Sequence, residues 1–315
     1  MNRREFMGAL GAAASLTTLA QSQTKRVIWP ADMAQAQTRQ FRKGICHVIF
    51  PADMPVEEQM KRARDAGFEG IELSMRERAP MITPETTPAD AERLAAQARS
   101  IGIEITDIMT SILNTAPFTS PDPAIRDKGV GFIRKALELA PILGAGALLV
   151  VPGRLGSGPR FEVGYEEAWK RSSDCIRQLV PFAEKQKVFI CAENIWSKFL
   201  VSPLDMRAFV DQFKSPWVGT YFDVGNIMQW GYPQDWILTL GPRIKRVHIK
   251  DYKLSQKSEQ GRFVPLLEGD VDWKGVMAAF RQVNYSGWLS PEYGASNEPD
   301  HLRLVSEALS KIISM

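Results

Sequence analysis

Residues 188–194 read VFICAEN, an apolar run that stops at a carboxylate and an amide. Residues 217–226, WVGTYFDVGN, repeat the pattern and end on Asp223 and Asn226. KRVHIKD (245–251) and GWLSPEY (287–293) do so again, with His248 and Glu292. Short apolar runs closed by polar residues read as buried strands. Between them lie SPLDMRAFVDQF (202–213), DWILTLGPRI (235–244) and VDWKGVMAAFRQVN (271–284), each with helical spacing. Buried strands separated by amphipathic helices imply a parallel sheet.

The same alternation extends to both ends of the chain. GICHVIF (44–50), FEGIELS (68–74), IEITDIMT (103–110) and GALLVVPG (146–153) are strand candidates. VEEQMKRARDAG (56–67) and PADAERLAAQARSIG (88–102) are helices closed by glycine. Residues 122–142, 163–187 and 298–313 supply the remaining helices. Eight strand–helix units fit a closed (β/α)₈ barrel. The rival is an open doubly wound sheet, whose G-x-G-x-x-G fingerprint is absent after the first strand. Gly-Ser-Gly at 156–158 lacks the Lys-Ser/Thr of a phosphate loop and is expected to form a flexible active-site loop.

Composition narrows the class further. The chain has 315 residues, 44% hydrophobic and 24% charged, which excludes a wholly disordered or collagen-like protein. A formal net charge of +3 gives no surface for nucleic acid. Cys46, Cys175 and Cys191 lie in apolar or helical runs and are expected to be buried thiols.

The first residues read as a tag. Arg3-Arg4-x-Phe6 precedes FMGALGAAASLTTLA, too short and weak for a stable membrane anchor. A basic start, an apolar centre and small residues make residues 1–25 a twin-arginine-type signal peptide. Residues 26–42 are polar and glutamine-rich, a linker, and residues 43–315 are the barrel domain. Delivery by export machinery to the periplasm, or otherwise outside the cytoplasm, is the expected location.

Glu193, Asp223, His248 and Glu292 close four consecutive strand candidates. A charge beside a buried strand is costly unless paired or metal-bound. In a barrel these positions face one another at the C-terminal mouth. Three carboxylates and an imidazole suit one Mn²⁺ per subunit, or Mg²⁺ or Co²⁺, better than a thiolate-seeking metal. An ion there would hold a sugar carbonyl and its neighbouring hydroxyl and stabilise an enediolate. Glu193 and Glu292 are the expected acid–base pair, moving a proton between opposite faces of the sugar.

From about residue 43 onward the chain resembles the xylose-isomerase-like TIM barrels of the sugar phosphate isomerase/epimerase superfamily. CAEN (191–194), YFDVGN (221–226), VHIKD (247–251), GDVDW (269–273) and SPEY (290–293) carry the likeness. Within the superfamily it is most similar to the ketose 3-epimerases acting on D-tagatose, D-psicose or L-ribulose. The resemblance implies Mn²⁺ or a similar ion on Glu193, Asp223, His248 and Glu292, and epimerisation of a free ketose at C3. Relatives are often dimers or tetramers. Two departures stand out. Those epimerases carry a substrate-contacting histidine where this chain has Asn226. After His248 they carry a segment ending in arginine, where this chain has Lys250-Asp251, with Arg262 a loose substitute.

Other candidates for substrate contact are His47, Glu72, Arg154, Trp196 and Lys198. Each has a plain alternative: a buried imidazole for His47, a pair with Arg76 for Glu72, loop packing for Trp196. Arg154 and Lys198 suit an anionic group. Trp230, Tyr232 and Trp236 would wall the pocket or form a subunit contact, and His301 is expected at the surface. The same site also serves aldose–ketose isomerases, and lyases or dehydratases acting on 3-keto-glycosides or keto-cyclitols. A non-catalytic sugar-binding barrel is a further alternative. The multi-zinc endonucleases of the superfamily need more histidines than the three here.

Overall fold

A computed structural model describes residues 40–78, 81–157, 159–255, 260–296, 298 and 300–315. The signal peptide and most of the linker expected from the sequence lie outside the described residues. The barrel strands are β1 (Phe41–Lys43), β2 (Gly70–Ser74), β3 (Glu104–Met109), β4 (Ala147–Val150), β5 (Phe189–Glu193), β6 (Val218–Asp223), β7 (Ile244–Ile249) and β8 (Gly287–Pro291). They form one parallel sheet in the order β1-β8-β7-β6-β5-β4-β3-β2. Its two ends meet through Ile45 N to Gly70 O, Glu72 N to Ile45 O and a parallel bridge between Cys46 and Glu72. The result is the expected (β/α)₈ barrel.

The outer helices are α1 (Val56–Asp65), α2 (Pro88–Ile101), α3 (Pro123–Leu143), α4 (Tyr165–Gln186), α5 (Pro203–Asp211), α6 (Pro233–Leu240), α7 (Trp273–Gln282) and α8 (His301–Ile313). Their ends carry the signals legible in the sequence. Thr87 and Asp90 form a reciprocal capping box on α2, and Gly102 ends it at φ 79°. Asp122 caps α3 and Ser202 caps α5. Inside the barrel Cys46, Met109, Ala147, Leu149, Cys191 and Tyr221 pack together. All three cysteines are buried and free.

Two sequence readings need correction. The first strand begins at Phe41, inside the stretch read as linker; its ladder contacts run on through Cys46, and only the second half of GICHVIF leaves the sheet. His47–Ile49 turns instead as a 3₁₀ helix. The apolar run misled because this turn packs Ile49 and Phe50 into the core just as a strand would. The segment after β4, read as a loop, pairs Gly156–Ser157 with Arg160–Phe161 as two short antiparallel strands. Among the described residues no helix is long and apolar enough to cross a membrane.

Candidate metal centre

All eight strands run the same way, so their C-terminal ends form one mouth. Glu193 ends β5, Asp223 ends β6, His248 lies near the end of β7, and Glu292 follows β8. Each offers one ligand atom, and the four atoms lie within 4.8 Å of one another. Nδ1 of His248 is 2.8 Å from Glu292 Oε2, 3.2 Å from Glu193 Oε1 and 3.9 Å from Asp223 Oδ2. Asp223 Oδ1 accepts from Asn226 N and caps the turn Val224–Ile227. Its Oδ2 and Oε2 of Glu292 are buried and accept no hydrogen bond of normal geometry. Carboxylate oxygens and a ring nitrogen thus converge on one point. Three carboxylates and an imidazole suit a hard or borderline divalent ion, so the residues fit the expected metal.

Lys250 supplies the positive charge within the cluster. Its Nζ stands 2.8 Å from Asp223 Oδ2 and 2.6 Å from Glu292 Oε2. Gly225 makes room, since a Cβ there would come within 2.5 Å of Lys250 Cβ. The two glutamates differ in proton affinity. Burial pushes the Glu193 carboxyl up to about 7, against the pull of His248. Burial opposes ionisation of Glu292 too, but Lys250 and His248 outweigh it and hold that carboxyl well below the usual range. Burial raises Asp223 despite Lys250. Burial works against a charged His248, yet Glu292, Tyr221 and Glu72 drive its pKa well above the ordinary value.

Asparagines in two of the quoted motifs hold the frame. Asn194 Oδ1 accepts from Asp223 N, and its Nδ2 donates to Asp223 O. Asn226 Nδ2 donates to Asn194 O, and Trp196 Nε1 donates to Asn226 O. Above the cluster opens a cavity of about 360 Å³, lined among others by Arg154, Trp196, Asn226, Lys250, Phe263 and Glu292. Trp196 stacks on Phe263 at 5.2 Å and meets Trp230 at 5.5 Å and Tyr252 at 5.8 Å. This aromatic wall was half legible, because Phe263 and Tyr252 stand on a hairpin that apolar periodicity does not reveal.

The other expected substrate contacts divide. Arg154, Trp196, Asn226 and Lys250 reach the cavity; His47, Glu72, Lys198, Asp251 and Arg262 are not among its lining residues. Asp251 is a loop organiser. Its carboxylate accepts from Tyr252 N, Leu267 N and Trp273 Nε1, tying down the GDVDW segment. Arg262 is exposed on the hairpin, where its neighbour Phe263 faces the cavity instead. Glu72 pairs with His248 rather than with Arg76. His47 is buried with Nε2 unpartnered. Lys198 is exposed at φ 61°. His301 is half-buried, edge-on to Tyr293. Trp230 and Tyr232 are exposed, whereas Trp236 is core.

The fold and the mouth define a parallel (β/α)₈ barrel with a carboxylate–imidazole centre. Residues 60–312 match the family described as xylose isomerase-like TIM barrel, and the chain belongs to that family. It is 28% identical over 253 residues to an Escherichia coli (strain K12) protein provisionally named L-ribulose-5-phosphate 3-epimerase SgbU, covering 79% of this chain and 87% of that one. It is 25% identical over 254 residues to the L-ribulose-5-phosphate 3-epimerase UlaE of Salmonella paratyphi C, covering 79% and 86%. Among solved structures, a D-psicose 3-epimerase shares the fold at TM-score 0.72 and 16% identity, covering 87% of this chain and 100% of that one. The 3-keto-D-glucoside 4-epimerase YcjR of E. coli does so at 0.70 and 15%, covering 87% and 100%.

Proposed function

We propose that this barrel is a divalent-metal-dependent sugar epimerase that inverts C3 of a free ketose. The observation that carries this reading is the placement of Glu193 and Glu292. They approach His248 Nδ1 from β5 and β8, one raised in pKa and the other held ionised. Two carboxyls whose environments push their proton affinities apart are suited to act as acid and base. The names of SgbU and UlaE, both 3-epimerases, support the same reaction class.

Glu193, Asp223, His248 and Glu292 would hold the ion, Mn²⁺, Mg²⁺ or Co²⁺. When bound, it supplies Lewis acidity toward the sugar oxygens flanking the reacting carbon. Ionised Glu292 takes the C3 proton, and the electron pair moves into the C2–C3 bond as the carbonyl oxygen gains charge. Lys250, beside Glu292, donates toward that charge. Protonated Glu193 then returns a proton to the opposite face of C3. Trp196 and Phe263 offer flat apolar surface to the sugar.

A free ketose is favoured because Lys250 is engaged with two carboxylates, leaving Arg154 as the cavity's second cation. A second reading, a ketose 5-phosphate, is favoured by the relatives' names. Arg154 supports it, since its guanidinium donates to the neutral Asn114 amide, at 3.3 Å. Incubating the Mn²⁺-loaded protein with free ketohexoses, free ketopentoses and ketopentose 5-phosphates, and following C3 epimers by NMR, decides between them. Turnover of none of these would refute both. Export directed by residues 1–25 belongs to the same proposal, and fractionation of cells making the full chain tests it.

A further inference from the structure

Below the proposed metal site lies a fully buried carboxylate that makes no contact with the cavity. Glu72, on β2, is 0% exposed. Its Oε2 stands 2.8 Å from His248 Nε2 and accepts from the Tyr221 hydroxyl at 3.3 Å. Its Oε1 is buried without a partner. A carboxylate stripped of water and half satisfied is costly to keep, which points to a task. The backbone is shaped around the arrangement. The register shifts at the step Ile71–Glu72 of β2, opposite an extra residue, Thr106, on β3, and at the step Thr220–Tyr221 of β6, opposite an extra residue, Lys245, on β7, the strand that carries His248. Both shifts fall immediately before a residue of this buried group. Bulges commonly re-aim a side chain near a site. The Tyr221 ring also packs on His248, centroids 4.3 Å apart.

We propose that Glu72 is a positioning residue for the metal-binding imidazole, an inference that rests on the metal-site reading above. By holding Nε2–H, Glu72 fixes the ring so that Nδ1 is the nitrogen facing Glu193, Asp223 and Glu292 and the one that gives up its proton to the ion. Carboxylate partners of this kind orient metal-bound histidines and raise their basicity. Tyr221 holds Glu72 in turn.

The test compares the wild type with Glu72→Gln, measuring Mn²⁺ affinity by electron paramagnetic resonance and melting temperature with and without Mn²⁺. The variant should bind Mn²⁺ about 10- to 100-fold more weakly. Its metal-free melting temperature should not fall, while the increment given by Mn²⁺ shrinks. Affinity within twofold of wild type in a folded variant would overturn the proposal. So would an equal loss of melting temperature with and without the ion, which marks a merely structural role. If the variant does not fold, ¹⁵N NMR of the wild type loaded with diamagnetic Mg²⁺ gives the answer. Ligation at Nδ1 with Nε2 protonated supports the proposal; ligation at Nε2, on the Cys46–Glu72 side, contradicts it. A wild type that binds neither ion refutes the metal-site reading itself, and the role of Glu72 with it.

Discussion

The side chain of Asn194 grips the backbone of Asp223 with two hydrogen bonds of 2.9 Å, one to its N–H and one from the amide to its carbonyl. The clamp fixes the end of β6 against the end of β5, and so fixes two of the four converging ligand atoms. Asn194→Ala should strand two buried backbone groups and cost about 1–3 kcal/mol of stability for each one left unpaired. Mn²⁺ affinity should fall about tenfold, because Asp223 loses its second support. Urea unfolding and metal titration check both; unchanged affinity would detach the clamp from the metal centre.

Asp251 organises the loop before α7 and does not line the cavity. Gly269 is shaped to it, since a Cβ there would lie 2.0 Å from Asp251 Oδ1. Asp251→Ala and Gly269→Ala should each destabilise the fold by about 2–4 kcal/mol, through lost hydrogen bonds or overpacking. Metal affinity at a temperature where the variants stay folded should hold within a few fold. Melting curves and titrations together separate this from a role in binding.

His47 gives stability an acid limb. Burial, then Arg76, lower its pKa to about 4, against 6.5 for an ordinary imidazole. Between those values the unfolded chain takes up a proton that the fold resists. The contribution of the neutral ring is complete above about pH 6.5 and is lost as pH falls through about 4, up to about 3 kcal/mol in all. His47→Gln should flatten the slope of unfolding free energy in that window, read as the difference between variant and wild type at pH 7, 5.5 and 4. Parallel curves would contradict the assignment.

Removing the ion should abolish epimerisation and lower the melting temperature. Binding to the folded state alone stabilises by about 2.7 kcal/mol at a hundred times the dissociation constant. Chelation followed by Mn²⁺, Co²⁺ or Mg²⁺ should restore both properties, and activity that persists through exhaustive chelation would exclude a metal role.

The barrel was legible because its strands are buried on both faces and read as apolar runs, and because amphipathic segments, two of them closed by glycine, separate them. Glu193, Asp223, His248 and Glu292 stood out for a related reason, as charges placed where apolar periodicity stops. Asn194 and Asn226 stood in the quoted motifs, yet their work is on neighbouring backbone, which spacing does not expose. Asp251 misled because its sequence position beside Lys250 is shared with the site while its side chain turns into the loop. Glu72 lay in an apolar run with no clue to its partner, since a β2–β7 contact depends on barrel closure. The end of strand β1 was misplaced because a core-packed 3₁₀ turn carries the same residues as a strand.

The central claim is that Glu193 and Glu292 exchange the C3 proton of a ketose. The direct measurement is loss of deuterium from C3-labelled ketose into solvent, with the Mn²⁺-loaded wild type, Glu193→Gln and Glu292→Gln. The wild type should release label, and each variant should be slower by about 10²- to 10⁴-fold. Release at the full rate in both metal-loaded variants would contradict the account.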